Sequence, residues 1–260
     1  MNKSFLGISL ITLLCFEVIA ESIGQPGEIF PVMVENKSTD NHMGLVEING
    51  SFYKLVPLSF SKQGKYIVFN DTRIFIQAQD FGESRITITN DSLVNLNDQD
   101  RERTIKESAM IQKALKSYSK DMLSTFNFIN PVEGIISSRY GKKRFINGSP
   151  RSPHLALDIA APEGTKIISP ENGKVILVGD FFYSGKYVII DHGHGLLSSY
   201  SHMSKVSVSK NDIVMKGQKI GEVGSTGRVT GPHLHWTVYY ENVRINPESL
   251  LKENYLESLL

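Results

Sequence analysis

Short runs of β-branched and aromatic residues, bounded by Gly, Asn or Asp, recur in both halves of this 260-residue chain. Residues 52–60, 66–70, 73–79 and 85–90 are such runs in the first half, and residues 174–178, 187–191, 197–200 and 234–240 in the second. Ile86-Thr-Ile-Thr89 alternates apolar and polar side chains, the period-two pattern of a strand with one buried face. One stretch departs from this texture. Asp100 to Met122 is charged, lacks Gly and Pro, and carries Ile111, Leu115, Tyr118 and Met122 at helical spacing. The expected fold class is therefore mainly β. A small all-β N-terminal domain (21–98) precedes a linker helix (99–128), and a second, mostly antiparallel β domain (129–260) follows. Pro131 and Gly134 mark the start of that second domain, which is within the usual size of an independent unit. There is no internal repeat and no low-complexity segment.

Residues 1–20 read as an export signal. Lys3 gives a positive start, Phe5 to Phe16 is mostly apolar, and Val18-Ile-Ala20 resembles a small-residue cleavage site. The apolar run is short for a membrane span and no stop-transfer pattern follows, so no transmembrane segment is expected in the mature chain. The competing reading is an uncleaved, membrane-anchoring N-terminus. Cys15 is the single cysteine; it follows Leu14 instead of a small residue, which argues against lipid attachment. Cleavage after Ala20 would leave neither a disulfide nor a thiol nucleophile. A net charge of +1 gives no general attraction to nucleic acid or to an anionic membrane.

Six of the seven histidines lie after residue 150. With thiolate absent, imidazole and carboxylate are the common zinc ligands. In His154-Leu-Ala-Leu-Asp158 an extended chain would point His154 and Asp158 to one face, with Leu155 and Leu157 behind them. A helix would also align the two, but Pro153 and the following Ala-Ala-Pro-Glu-Gly favour the extended form. His233-Leu-His235-Trp236 would place both histidines on one strand face. Gly221, Gly224, Gly227 and Gly231 before it permit tight turns and close backbone approach. His202 ends another strand-like run. His192-Gly-His194 is a rival pair, but it sits between two runs as a hairpin connection, where ligands are less preorganised. Each motif alone is commonplace, and the inference rests on their combination.

The residues that carry a family resemblance are Gly134-Ile-Ile-Ser-Ser-Arg-Tyr-Gly141, His154 to Asp158 with Ala160-Ala-Pro-Glu-Gly-Thr165, Gly173-Lys-Val, Tyr200-Ser-His-Met-Ser204, Gly217-Gln-Lys-Ile-Gly221, Gly224-Ser-Thr-Gly227, Thr230-Gly-Pro-His-Leu-His-Trp236 and Asn246-Pro247. Over about residues 130 to 250 the chain resembles the M23 metallopeptidases of the LytM or lysostaphin type. The resemblance implies an antiparallel β core with an open groove and one zinc ion at its floor. The ligands would be His154, Asp158 and His235, with His233 as general base and His202 bonded to the oxyanion or the attacking water. It further implies hydrolysis of peptide cross-links between peptidoglycan stem peptides, D,D-cross-links in a Gram-negative cell, by an exported protein of the periplasm or cell envelope. The alternatives are a catalytically silent regulator of other wall hydrolases and a wall-binding protein. Trp236, Thr237 and Met203 depart from the family's common residues without removing a site residue. Residues 180–186 depart from its common groove-side loop, which bears on substrate preference. Residues 22–98 are read either as a cover that restrains the groove or as a docking module for a regulatory partner or the wall.

Overall fold

The computed structural model describes residues 20–34, 45–122 and 124–260. Residues 1–19 of the expected export signal, with Cys15, and also His42 lie outside them. Among the described residues no helix is long and apolar enough to cross a membrane.

The second half is organised by one ten-stranded sheet. Its strands are β8 (Ile135–Ser138), β11 (Leu157–Ala160), β12 (Lys166–Ile168), β13 (Gly173–Phe181), β14 (Gly185–Asp191), β15 (Leu196–Val206), β16 (Ile213–Val214), β17 (Lys219–Val223), β18 (His233–Tyr240) and β19 (Val243–Ile245). The central order is β16-β13-β14-β15-β18-β11-β8, and every pairing in it is antiparallel. Alternation sorts the side chains of each strand between two faces. Leu234, Trp236, Val238 and Tyr240 of β18 enter the main core with Tyr200, Leu157 and Val188, while Tyr239 joins Tyr187, Ile189 and Leu197 on the opposite face. Tyr187-Val-Ile-Ile190 reads as an unbroken apolar run because both faces of β14 are covered.

The first half contributes β1 (Ala20–Gly24), β2 (Ile29–Met33), β3 (Leu45–Ile48), β4 (Ser51–Pro57), β5 (Lys65–Phe69), β6 (Thr72–Ile76) and β7 (Glu83–Ile86). They form two three-stranded sheets, β1-β6-β5 and β2-β4-β3, with β1 parallel to β6. The seventh strand leaves this group. β7 pairs in parallel with β9 (Lys143–Ile146), which pairs with β10 (Ser149–Arg151). The halves are thus joined by a shared sheet, and Ile29 and Leu55 also lie in the main core. The alternation expected through Thr89 persists as burial of Ile88. The ladder partner there is a side chain: Asn147 Oδ1 accepts from Ile88 N–H at 2.9 Å, and Asn147 Nδ2 donates to Ile88 O at 3.0 Å.

The helix α1 spans Asp98–Ala114. Asn97 caps it by accepting from Asp100 N–H at 2.8 Å. It stops short of the expected 128 and of Met122. The reason is a buried carboxylate: Ser117 and Ser119 donate their hydroxyls to Asp191 Oδ2 at 2.7 and 2.8 Å. Those bonds need an extended chain, whereas Leu115, buried at the C-cap, still follows the helical spacing. α1 also grips the groove-side loop, because Glu107 accepts from Phe182 N–H at 2.7 Å and Arg103 donates to Asp180 O at 3.2 Å.

Candidate active site

A groove of about 400 Å³ opens on the α1 side of the large sheet, and His154, Asp158, His202, His233 and His235 all line it. The sheet register builds it. Asp158 on β11 stands opposite His235 on β18, which stands opposite Ser201 on β15. His233 and His235 point into the groove while Leu234 and Trp236 are fully buried on the other face, as alternation requires.

His154 reaches the site differently from the expectation of one extended segment. β11 begins only at Leu157, and His154 lies in the loop before it. Backbone bonds from His154 N–H to Lys142 O and from Gly141 N–H to His154 O pin this loop. The residue is 1% exposed. Leu157 is buried as expected, but Leu155 lines the groove.

The hydrogen bonds assign the tautomers. A carbonyl only accepts, so His154 Nδ1–H donates to Arg139 O at 3.1 Å and its Nε2 presents a lone pair. That Nε2 lies 3.0 Å from Asp158 Oδ1 and 3.3 Å from His235 Nδ1, and His235 Nδ1 lies 2.7 Å from the same oxygen. The three ligand atoms fall within 4.8 Å of one another. Two imidazole nitrogens and a carboxylate oxygen converging in a half-buried place are suited to a cation. The distal nitrogen of His235 is 3.5 Å from Thr237 Oγ1, a contact of the kind that orients a metal-binding imidazole. Burial opposes ionisation of Asp158, yet His235 and His154 outweigh it and hold the carboxyl well below the usual carboxylate range. Burial pushes His235 down, against the opposing pull of Asp158.

His202 and His233 flank this cluster, with His202 ring centroids 4.9 Å from His233 and 5.8 Å from His235. His202 does not end its strand; β15 runs on to Val206. Ser199 and Ser201 face the groove, so plain alternation would turn His202 into the core. A bulge prevents this. Between the pairs Val188↔Tyr200 and Lys186↔Met203, β15 has two residues against one on β14, and His202 takes φ +65°. Its Nδ1–H donates to Thr226 O at 2.9 Å. Thr226 is held by tight backbone packing: a Cβ on Gly185 would lie 2.2 Å from Thr226 Oγ1, and one on Gly227 would lie 2.4 Å from Gly185 N. Burial, then the charges of His235 and His233, push His202 down to about 3. His233 Nδ1–H donates to Gly231 O at 2.9 Å, and its Nε2 stands 4.0 Å from Asp158 Oδ1.

The rival pair stands apart. His192 is fully buried, its nitrogens bonded to Asn172 O at 2.8 Å and Ser198 Oγ at 2.7 Å. His194 stacks on Tyr118 at 6.1 Å. The groove also holds residues that no motif signalled: Arg144 on β9, and Arg228 stacked at 4.1 Å on Tyr183. Arg144 reaches it only through the β7–β9–β10 sheet.

Residues 152–247 match the family model described as Peptidase family M23. The chain is 40% identical over 120 residues to the peptidoglycan DD-endopeptidase ShyA of Vibrio cholerae, spanning 46% of this chain and 27% of that protein. It is 43% identical over 90 residues to ShyB of the same organism, spanning 35% and 21%. It thus spans about a quarter of the length of these curated relatives. A Pseudomonas aeruginosa protein assigned to peptidase M23 superposes with a TM-score of 0.66 at 28% identity, over 87% of this chain and 94% of that one. The domain built around the groove belongs to peptidase family M23.

Proposed function

We propose that the protein is a zinc-dependent endopeptidase that hydrolyses peptide cross-links of bacterial peptidoglycan, the D,D-cross-links in particular. The observation that carries the reading is the convergence of His154 Nε2, Asp158 Oδ1 and His235 Nδ1, with two further imidazoles beside them. The DD-endopeptidase relatives support the substrate class. His154, Asp158 and His235 would hold the metal. Bound there, zinc supplies Lewis acidity, polarising a carbonyl and making water acidic enough to ionise near neutral pH.

The protein's own groups then divide the work. His233 keeps Nδ1–H on Gly231 O, so its Nε2 is free to take the proton of the attacking water. His202 keeps Nδ1–H on Thr226 O and is held neutral by burial, so its Nε2 also accepts. Of the two roles open to His202, orienting the attacking water fits this tautomer, because an imidazole without Nε2–H cannot donate to an oxyanion. All five site positions are filled, which weighs against a silent regulator. We place the reaction in the cell envelope, outside the cytoplasm, where peptidoglycan lies; the export-like residues 1–20 agree with that.

Purified sacculi digested by the protein, with and without a zinc chelator, provide the test. Chelator-sensitive loss of cross-linked dimers, read by mass spectrometry of the fragments, is the expected outcome. Intact sacculi in both arms would overturn the reading.

A further inference from the structure

Arg144 and Arg228 line the groove, with Arg151 beside them, and among the described residues none of the three is in an ion pair. Arg144 lies on β9 with Arg151 of β10 directly opposite in register, and like charges in that arrangement repel. Arg144 and Arg228 line the same groove as His154, Asp158 and His235. Arg228, Arg151 and Tyr183 line its continuation away from that cluster. Among the described residues no ion pair joins any of the three to a carboxylate, whereas Arg85, Arg103 and Arg139 each pair with a glutamate. The half-buried guanidiniums feel one another. Burial pushes Arg144 down, Asp158 opposes this, and Arg228 adds to it. Burial pushes Arg228 down, Tyr183 opposes this, and Arg151 adds to it. The whole chain carries a net charge of only +1, so this is a local concentration of charge.

Repulsion of this kind, only partly offset by Asp158 and Tyr183, is what an anionic ligand relieves. Tyr183 lies over one face of the Arg228 guanidinium at 4.1 Å and also takes a hydrogen bond from it, so the remaining N–H groups are what a ligand would meet. That planar fork matches a carboxylate in two parallel bonds. Arg144 is fixed by the ladder, between Ser84 of β7 and Arg151 of β10.

We infer that Arg144 and Arg228, with Arg151 at the rim, form a subsite for a carboxylate of the peptide substrate, so that the enzyme selects anionic peptides over their amidated forms. The inference rests on the peptidase reading and deepens it. It also gives the N-terminal region a share in specificity, because β7 is the strand that holds β9 in place.

Calorimetric titration of the whole protein with a stem tetrapeptide bearing free carboxylates, and with the same peptide amidated, tests this without cleavage. The wild type is expected to bind the free acid about 10-fold to 100-fold more tightly, the range for a hydrogen bond to a charged group. R144Q and R228Q should each remove most of that preference while metal content is unchanged. Relief of like-charge repulsion should leave R144Q melting no lower than the wild type, which a purely structural arginine would not do. R151Q, at the exposed rim, should give a smaller loss and serves if a groove variant does not fold. Equal binding of both peptides by the wild type, or an undiminished preference in all three variants, overturns the subsite. Sacculi cleaved by a protein without the preference would leave the peptidase reading standing alone. The preference in a protein that leaves sacculi intact would uphold the subsite and remove the peptidase reading.

Discussion

The chain contains the same three-residue pattern twice, and the two copies have opposite fates. His233-Leu-His235 lies on β18, where alternation turns both imidazoles to one face and the register sets Asp158 opposite His235. His192-Gly-His194 lies at the turn between β14 and β15, where Gly193, His194 and Gly195 all have positive φ. Two residues apart there no longer means one face. His192 becomes a core residue and His194 a surface ring. The pattern brings both imidazoles into one site only where the backbone keeps a period of two and a neighbouring strand sets a carboxylate opposite.

The largest effect expected from breaking this contrast is at the converged donors. His154→Ala, Asp158→Ala or His235→Ala should lose bound metal, measured by mass spectrometry of the metal after gel filtration, and turnover should fall to background. His192→Ala should retain full metal occupancy, and loss of metal there would erase the distinction between the pairs. Next come the flanking imidazoles. His233→Ala or His202→Ala should keep the metal and lower turnover about 100-fold or more, the usual contribution of a general acid–base group. Full turnover in His233→Ala would remove its role as base.

A smaller effect sharpens the contrast through pH. Burial pushes His192 down to about 4, below the ordinary value of 6.5. The unfolded chain therefore binds a proton that the folded chain refuses between those values, so stability falls as pH drops from 6.5 towards 4. The share from His192 is about 3 kcal/mol at most. Thermal melts of His192→Gln against pH should show a shallower slope in that window than the wild type. An identical slope would mean that His192 is protonated in the fold. The smallest effect is at Thr237, whose hydroxyl faces the distal nitrogen of His235. Thr237→Val should weaken metal affinity by about tenfold, the low end for such supporting contacts, in a competition titration with a chromogenic chelator.

Much of this was legible in the sequence where local pattern and packing agree. The runs at 174–178, 187–191, 197–200 and 234–240 each lie inside a strand, because their side chains suit both the strand and the layer covering it. The residues brought to the groove were legible as types: His154, Asp158, His202, His233 and His235. What was hidden depends on contacts between residues far apart in the chain. The end of α1 is decided by Asp191, more than 70 residues away. The loop that presents His154 is fixed by backbone bonds, to which side-chain periodicity is blind. The parallel pairing of β7 with β9 joins residues 60 apart, so a boundary drawn at 98 marks the helix start and not a gap in the packing. The bulge at Ser201–His202 belongs to the same class, since a period-two reading puts His202 with Tyr200.

That bulge sets two selective pressures against each other at position 202. An imidazole on a left-handed backbone costs about 1 kcal/mol that glycine avoids and asparagine lessens. A lineage or a laboratory screen that rewards only resistance to heat would therefore tend to discard the histidine there, and would report an improved protein whose turnover is expected to be far lower. Retention of histidine at this one position is thus a running record that the groove is still being used.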